Sequence, residues 1–394
     1  MTKTKSRHLM DILAEVPDPR NAKGKRHPLC AILALAVIAL MCGYRSYSAI
    51  AEWGRTYGSD LVKALGFTRA KTPCAATLHN LFKKLDIAQL EAVLSQWGVE
   101  TLESHPVACP PLAVAIDGKL LRGSAKQQAT VSHLLSVVSH QLGVTLAQKA
   151  VDTQTNEIPI STEILSAFDV KGMIVTTDAL LTQRHFCKTV CALDADYVVP
   201  VGLNHKQLHH DIRCLFDPPT DITPTQPTFN GLQQMHNELN QTLDTHQTVD
   251  KSHGRIETRC LTASTALNDY VQWPGVNQVF AYDYQRIELS TGQVKQKTQY
   301  GITSLTPSQA SAKDLLTLRR GHWAIENQSH WVRDVVLGED ASQVRCRVIP
   351  QVMAALRNTA LAVLRFADYS NISKAMRHFA AHPQHALSLI NGKY

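Results

Sequence analysis

The chain has 394 residues, too many for one small hydrophobic core, so we expect two or three domains. Hydrophobic residues make up 44% and charged residues 19% of it, which excludes a disordered or fibrous protein. The formal net charge of +7 is uneven: residues 1–100 hold 14 Lys and Arg against 8 Asp and Glu, and residues 341–394 hold 7 against 1. Basic segments around a more acidic middle favour a polyanion-binding protein with a carboxylate-lined centre, although charge also varies along ordinary chains.

Residues 1–100 are predicted to be helical. The apolar run Leu29–Met41 is too short to span a bilayer, and the acidic residues before it argue against a signal peptide. We interpret it as the core helix of an N-terminal helical domain, and Ile87–Trp97 also has a helical period. The nine cysteines lack disulfide-framework spacing and predict reduced thiols. We therefore expect a cytoplasmic protein without membrane contact.

After the proline-rich boundary at 106–111 the pattern changes to strands. A short apolar run at Leu112–Ile116 ends on Asp117, and two further strands are predicted to form an antiparallel meander with it. A helix, a strand, a helix and a strand follow, which predicts a mixed sheet with flanking helices. The predicted elements after the first strand are Leu134–Ser139, Val144–Val151, Ile158–Phe168, Met173–Thr176, Thr182–Leu193 and Tyr197–Val201.

The second half of the chain contains a loop-like stretch and then more strands. Residues 217–230 are rich in Pro and Thr, and strand-like segments follow at Arg255–Leu261, Asn277–Leu289 and Gln293–Ile302. We interpret residues of about 217–305 as a β-rich insertion and those of about 307–394 as C-terminal helices. The predicted domains are an α-helical N-terminal domain, 1–105, and an α/β catalytic domain, 106–394.

Two aspartates follow buried apolar strands. Asp117 comes after Ala-Val-Ala-Ile and Asp178 after Met-Ile-Val-Thr-Thr. If the two strands are neighbours, both carboxylates lie at one sheet edge, where a divalent ion would offset their repulsion. Oxygen ligands of this kind select Mg²⁺ or Mn²⁺. An aspartate after a strand is, however, often only a turn or capping residue.

A third carboxylate, Glu326, lies in a segment rich in cations. On an ideal α-helix, the residues Arg319, His322, Glu326, His330 and Arg333 fall within roughly 80° of arc. One acid among several cations is typical of a helix that presents a metal ligand and holds phosphates. A solvated helix face of mixed charge is the alternative.

The residues resemble the insertion-sequence transposases related to the H-repeat-associated proteins, which belong to the DDE superfamily. The similarity is collinear over most of the chain, so its motifs are more specific together than singly. It rests on Asp18-Pro-Arg20 with Lys23-Gly-Lys-Arg-His-Pro28, Ala115-Ile-Asp117-Gly-Lys119, Thr177-Asp178-Ala-Leu180, His253-Gly-Arg255-Ile-Glu257-Thr-Arg259, and Arg320-Gly-His-Trp-Ala-Ile-Glu326-Asn327 followed by His330-Trp331, Asp334-Val335 and Glu339-Asp340.

The resemblance implies a ribonuclease H-like catalytic core in which Asp117, Asp178 and Glu326 bind Mg²⁺ or Mn²⁺. It implies cleavage of double-stranded DNA at the terminal inverted repeats of an element and transfer of the 3′ ends to target DNA. It also implies a homodimer on DNA and association with the nucleoid. The candidate DNA contacts are Lys119, Arg122, Arg255, Arg259, Arg319, Arg320, His322, His330 and Arg333. A solvated surface charge is the alternative for each of them.

Two departures from the family pattern leave other functions open. The superfamily places Tyr, Arg and Lys where this chain has Arg319, His322 and Arg333, and a Lys-x-Asn-Gln segment is replaced by Gly202-Leu-Asn-His205. The loss of that lysine fits an inactive or recruited transposase-derived DNA-binding protein. A stand-alone nuclease of the same fold is a second alternative. An unrelated hydrolase is not indicated, because the sequence contains no motif of such an enzyme.

Overall fold

The computed structural model describes residues 7–57, 59–105, 111–122, 133–151, 156–217 and 243–392. The chain divides into two compact units, each built from separate stretches of sequence. The first unit contains residues 1–110, 117–160 and 324–394, and the second contains residues 111–116 and 161–323. The sequence-based division at residue 105 stays a prediction.

The first unit is mainly helical. Leu29–Met41 forms a helix in which all residues but Cys30 are buried, as expected for a helix that is apolar on every side. The hydroxyl of Ser46 and the carboxylate of Asp86 cap the next long helices by accepting backbone N–H groups. The helices before the sheet are α1 (Leu9–Ala14), α2 (Leu29–Met41), α3 (Tyr47–Thr56), α4 (Ser59–Ala64), α5 (Ala75–Phe82) and α6 (Ile87–Ser104).

Strands and C-terminal helices complete this unit. Strands β2 (His133–Ser139) and β3 (Thr145–Val151) pair antiparallel, and α6 packs on β3. A long helix near the C-terminus, Ile349–Phe366, packs on both α2 and α6, and its buried side chains form much of the core. Two short helices, Ile372–Ala381 and Pro383–Ile390, follow it.

The second unit is built on a mixed sheet. The first half of β1 (Ala113–Leu120) pairs parallel with β4 (Ile174–Thr176), which pairs parallel with β5 (Asp196–Val201). An antiparallel meander continues the sheet in the order β5-β9-β8-β7-β6. Its strands are β6 (Asp244–Ser252), β7 (Arg255–Ser264), β8 (Gln278–Glu288) and β9 (Val294–Thr303).

Helices cover this sheet and connect it to the first unit. The helices α7 (Glu157–Ser166), α8 (Arg184–Ala192), α9 (Lys206–Phe216) and α10 (Ala312–Ile325) follow in chain order, and the C-terminal helices described above are α11, α12 and α13. Leu315 and Leu316 of α10 pack with Leu261 and Phe280 of the sheet in one buried cluster. The chain passes from the first unit to the second within α7 and returns within α10.

The predicted mixed sheet with flanking helices is confirmed, with differences in detail. Strand β1 does not end at Asp117 but continues to Leu120. Strand β6 and helix α9 were not predicted, and the predicted loop at 217–230 lies outside the described residues except for Asp217. That strands β6 to β9 form an insertion into a ribonuclease H-like core stays a prediction.

Among the described residues, one helical stretch is long and apolar enough to cross a membrane by composition alone. It is Ala22–Met41, with a mean hydropathy of 1.5 in its most apolar window. Of that window, 67% is buried inside the fold, as in the core helix of a globular unit.

Candidate active site

Asp117 lies within strand β1, in the part of the strand that belongs to the first unit. Its side chain is 29% exposed, and its Oδ1 accepts a hydrogen bond from the backbone N–H of Gly118 at 2.9 Å. The apolar residues before it are buried, so the strand carries the carboxylate from the core toward solvent.

Glu326 lies in the same unit, where helix α10 changes its geometry. After Ile325 the α-helical pattern gives way to two π-helical turns, Glu326–His330 and Val332–Val336. The Glu326 side chain is 65% exposed, whereas that of His330 is 6% exposed. The Nδ1 atom of His330 lies 3.2 Å from Oε2 of Glu326 and 3.5 Å from Oδ2 of Asp117.

The three side chains form a cluster that could hold a metal ion. One donor atom from each of Asp117, Glu326 and His330 lies within 4.8 Å of the other two. Burial lowers the pKa of His330, the nearby charges of Arg333 and Lys119 lower it further, and the opposing effect of Glu326 is smaller. The lowered pKa favours the neutral ring, the form in which an imidazole binds metals.

Asp178 lies in the second unit, just after strand β4. Its Oδ1 accepts hydrogen bonds from the backbone N–H groups of Leu180 and Leu181, each at 3.0 Å. The hydroxyl of Thr182 donates to the carbonyl oxygens of Asp178 and Pro200. This turn fixes the orientation of the carboxylate through one of its oxygens, as Asx turns do.

Two of the predicted DNA contacts, Arg319 and His322, lie near Asp178 and strand β4 in the second unit. Arg319 is 4% exposed and donates to Oε1 of Gln299 at 3.1 Å. Burial lowers its pKa, while the carboxylate of Asp178 acts in the opposite direction. The Nδ1 atom of His322 lies 3.2 Å from the hydroxyl of Thr176, at the end of β4.

The single cationic helix face expected from the sequence holds only in part. The expected arc assumed α-helical geometry throughout, but residues after Ile325 follow i→i+5 hydrogen bonding, as between Leu337 N and Val332 O at 2.8 Å. The angle per residue therefore changes at Glu326. His330 and Arg333 are buried rather than exposed alongside it.

The predicted contacts of the first unit differ in accessibility. Lys119 is buried and paired with Asp334, and Arg333 is fully buried with its Nη2 2.8 Å from Glu339 Oε1. In contrast, the Arg122 side chain is 72% exposed. Arg122 pairs with Asp340 at 3.6 Å but stays accessible to a phosphate, whereas Lys119 and Arg333 are held in buried ion pairs.

The three arginines around strand β7 share acidic partners. Arg255 and Arg259 form salt bridges with Glu257, and Arg259 and Arg320 form them with Asp250, at 2.7 and 3.2 Å. No role is predicted from the sequence for the two acids that fix these cations. The signal that could have found them is the alternation Arg255, Glu257, Arg259, because i, i+2 residues share one face of a strand.

Comparison with known protein families shows which family the chain belongs to. A transposase DDE domain matches residues 109–363, and the domain associated with it in such proteins matches residues 10–98.

The chain belongs to the DDE transposase family.

The transposase has relatives of nearly its full length. YncI of Escherichia coli O157:H7, named provisionally as a transposase, is 28% identical over 91% of this chain and 87% of its own length. YhhI of E. coli K12, named provisionally as an H repeat-associated transposase, is 25% identical over 90% of each chain. A protein of Xanthobacter autotrophicus from the region 3′ of dhlA is 30% identical over 74% of this chain and 92% of its own. The resemblance to the H-repeat-associated group is thereby confirmed.

A divalent metal is typical of this family, and the cluster in the transposase fits one. Two carboxylates and an imidazole are a donor set that can hold a divalent metal ion. The family also implies a DNA substrate, and the match to the DDE domain places the fold with the ribonuclease H-like enzymes.

Proposed function

We propose that this transposase cuts DNA at the ends of an insertion sequence and joins the resulting 3′ ends to target DNA. The observation that carries the proposal is the meeting of Asp117 and Glu326, which are distant in sequence but share one cluster. Like-charged carboxylates repel at this distance, so a cluster of this kind is stabilised by a divalent cation. Mg²⁺ or Mn²⁺ is the ion proposed.

Asp178 is proposed as the third acid of the same centre. Its support is the register of the parallel strands in the second unit, where Ala115 of β1 pairs with Thr176 of β4. Asp117 and Asp178 each follow two residues later in the same strand direction. The carboxyl ends of adjacent parallel strands are where α/β folds bind ligands.

In this proposal some residues bind the metal ions and others position the DNA. When bound, divalent ions would stabilise the charge on the phosphate and the leaving oxygen in an in-line displacement. The carboxylates hold the ions, and exposed cations such as Arg122 and Arg320 hold the flanking phosphates in line. Water cleaves one phosphodiester bond and leaves a 3′-hydroxyl. The oxygen of this hydroxyl then attacks a phosphorus atom in target DNA and displaces the 3′ oxygen that was bonded to it. No covalent bond to the protein is needed.

DNA cleavage by matched variants tests this proposal. The substrate is a plasmid carrying the gene with its flanking DNA, incubated with Mg²⁺ or Mn²⁺. Replacement of Asp117, Asp178 or Glu326 by the matching amide should reduce cleavage by more than about 100-fold, because first-sphere ligands matter more than outer partners. DNA binding should persist in each variant. Asp194→Asn, a change at an exposed aspartate paired with Lys171, serves as the control.

The same experiment separates the alternatives. A wild-type protein that binds the plasmid but never cleaves it would be a recruited DNA-binding protein, as the Gly202-Leu-Asn-His205 segment allows. Nicking without strand transfer or preference for element ends would indicate a stand-alone nuclease. Full cleavage by Asp117→Asn would contradict the proposed centre. The homodimer on DNA is proposed from the need to pair two ends, and light scattering of the DNA complex tests it.

A further inference from the structure

We propose that His330 binds the divalent ion directly through its Nδ1 atom, so that the ion held by Asp117 and Glu326 has one imidazole ligand. This inference rests on the proposed function, because it assumes that the two carboxylates hold a metal. It goes beyond that function in adding a nitrogen to a centre otherwise made of oxygen donors.

The distances within the cluster fit three ligands of one ion. Ligands about 2.1 Å from a metal and at right angles to each other lie about 3 Å apart. The Nδ1 atom of His330 is 3.2 Å from Oε2 of Glu326 and 3.5 Å from Oδ2 of Asp117. The donor atoms of Asp117 and Glu326 lie within 4.8 Å of each other, so adjustments of the side chains would bring all three donors onto a common ion.

The His330 ring is fixed by its surroundings. Its side chain is 6% exposed, and its buried Nε2 has no hydrogen-bond partner among the described residues. Packing therefore holds the ring, with Nδ1 directed at the two acids. Lys119, whose charge also acts on His330, is itself paired with Asp334.

The alternative role for His330 is purely structural. In that case Nδ1 carries a proton and donates a hydrogen bond to Glu326, whose distance of 3.2 Å also allows it. The two roles differ in the ion that they favour. An imidazole ligand favours Mn²⁺ over Mg²⁺, whereas a site of carboxylates alone discriminates less between them.

Pulsed electron paramagnetic resonance of Mn²⁺ distinguishes the two roles without measuring activity. Mn²⁺ is added to the full-length protein, and the spin echo is examined for modulation from a directly bound ¹⁴N nucleus. We expect ¹⁴N modulation in the wild type and its loss in His330→Gln, together with at least about tenfold weaker Mn²⁺ binding. His185→Gln, at an exposed histidine of α8, should keep the modulation.

A labelling experiment keeps the test valid if His330→Gln folds poorly. Wild-type protein grown with ¹⁵N-histidine should replace the ¹⁴N modulation by that of ¹⁵N. Bound Mn²⁺ without nitrogen modulation in the wild type would overturn the role of His330 and leave the carboxylate centre standing. Modulation that survives in a folded His330→Gln protein would also overturn it. Failure of the wild type to bind Mn²⁺ more tightly than Asp117→Asn would instead refute the proposed centre itself.

Discussion

Arg333 shows how burial changes the meaning of a charged residue. The sequence predicts it as a DNA contact, but its side chain is fully buried and pairs with Glu339, which also lies 3.6 Å from Arg357. Burial alone would raise the pKa of Glu339, yet Arg333 and Arg357 outweigh it and hold that pKa below its usual value. The three charges thus form an internal network directly after the candidate metal cluster.

Removing one member of this network should destabilise the protein strongly. Arg333→Met leaves Glu339 with only Arg357, whose nearest atom is 3.6 Å away, so we expect a loss of about 3 kcal/mol in the free energy of unfolding. Lys171→Met breaks the exposed pair with Asp194 and should cost less than about 1 kcal/mol. Urea unfolding measures both. Equal small losses would mean that the buried network contributes little.

The hairpin turn between β2 and β3 supports the segment that carries Glu326. Gly143 has a φ of +65°, and a Cβ atom added there would lie 2.8 Å from Cβ of Gln328, within the first π-helical turn. Gly292, in the turn between β8 and β9, has a similar φ of +67° but open space around it. The two glycines therefore separate backbone strain from a steric clash.

Alanine at the two glycines should give different results. Gly292→Ala should lose only about 1 kcal/mol, the cost of a side chain at positive φ. Gly143→Ala should lose about 1–3 kcal/mol more and should weaken Mn²⁺ binding, because the added methyl group displaces Gln328 and its neighbours. Thermal unfolding and Mn²⁺ titration check this. Identical behaviour of the two variants would show that the contact with Gln328 yields easily.

Periodicity was sufficient for elements whose pattern repeats, and insufficient where the geometry changes. The alternation in Thr145–Val151 and the apolar run Leu29–Met41 predicted their elements because each pattern reflects burial. Strand β6 was missed because its residues are largely exposed and polar, so no apolar alternation marks it. The π-helical turns were missed because they have no sequence period of their own, and they moved His330 and Arg333 into the interior.

The site was predicted in part for the same reason. Strand ends and family motifs pointed to Asp117 and Glu326, which the fold brings together with His330. The sequence could not show that Lys119 and Arg333 are internal, since burial of a cation depends on a distant acid. Roles for the individual DNA contacts stay predictions.

A polar network joins helices α6 and α11 to strand β3. Oε1 of Glu91 accepts hydrogen bonds from Gln148 at 2.7 Å and Gln351 at 2.8 Å, and Asn358 donates to Gln148 at 2.6 Å. Burial raises the pKa of Glu91 to about 7, against the opposing effect of its two amide donors. The network therefore prefers the neutral acid.

This preference predicts a pH dependence of stability. Glu91 makes its full contribution to stability below about pH 4.5, which is the pKa of its carboxyl group in the unfolded chain. This contribution is lost as the pH rises toward 7, the pKa in the folded protein. In the wild type, Glu91 should lower the free energy of unfolding by on the order of 2–3 kcal/mol between pH 5 and 8. This fall should be absent in Glu91→Gln, because the amide oxygen still accepts both hydrogen bonds. Urea midpoints at several pH values measure it, with Glu52→Gln as an exposed control. An unchanged pH profile in Glu91→Gln would contradict the assignment.

In the whole molecule, the distribution of charge along the sequence follows the division of the chain into two units. The two most basic segments, residues 1–100 and 341–394, both belong to the first unit, which also contains Asp117 and Glu326. Phosphate contacts from these segments would make DNA binding sensitive to salt. The tail is the simplest part to test because Lys374 and Arg377 of α12 are exposed there.

Neutralising these two tail cations should alter the salt dependence of DNA binding. If both contact phosphates, Lys374→Gln with Arg377→Gln should reduce the slope of log K against log salt by about 1.8, at roughly 0.9 for each contact. Fluorescence anisotropy over a series of salt concentrations measures the slope. The matched double change Lys171→Gln with Lys188→Gln, at exposed positions of the second unit, provides the comparison. A slope equal to that of the wild type would mean that the tail charges are only solvated.

The interrupted path of the first unit has a consequence for the order in which the protein is made. Its early helices, including α2 and α6, lack their packing partner until the ribosome has translated α11. Asp117 likewise waits for Glu326 and His330, which are added only after the whole sheet of the second unit. A nascent chain therefore emerges without its paired acids, and a product that stops at residue 323 should cleave no DNA at any metal concentration. The architecture therefore delays assembly of this cluster until residue 330 has been translated.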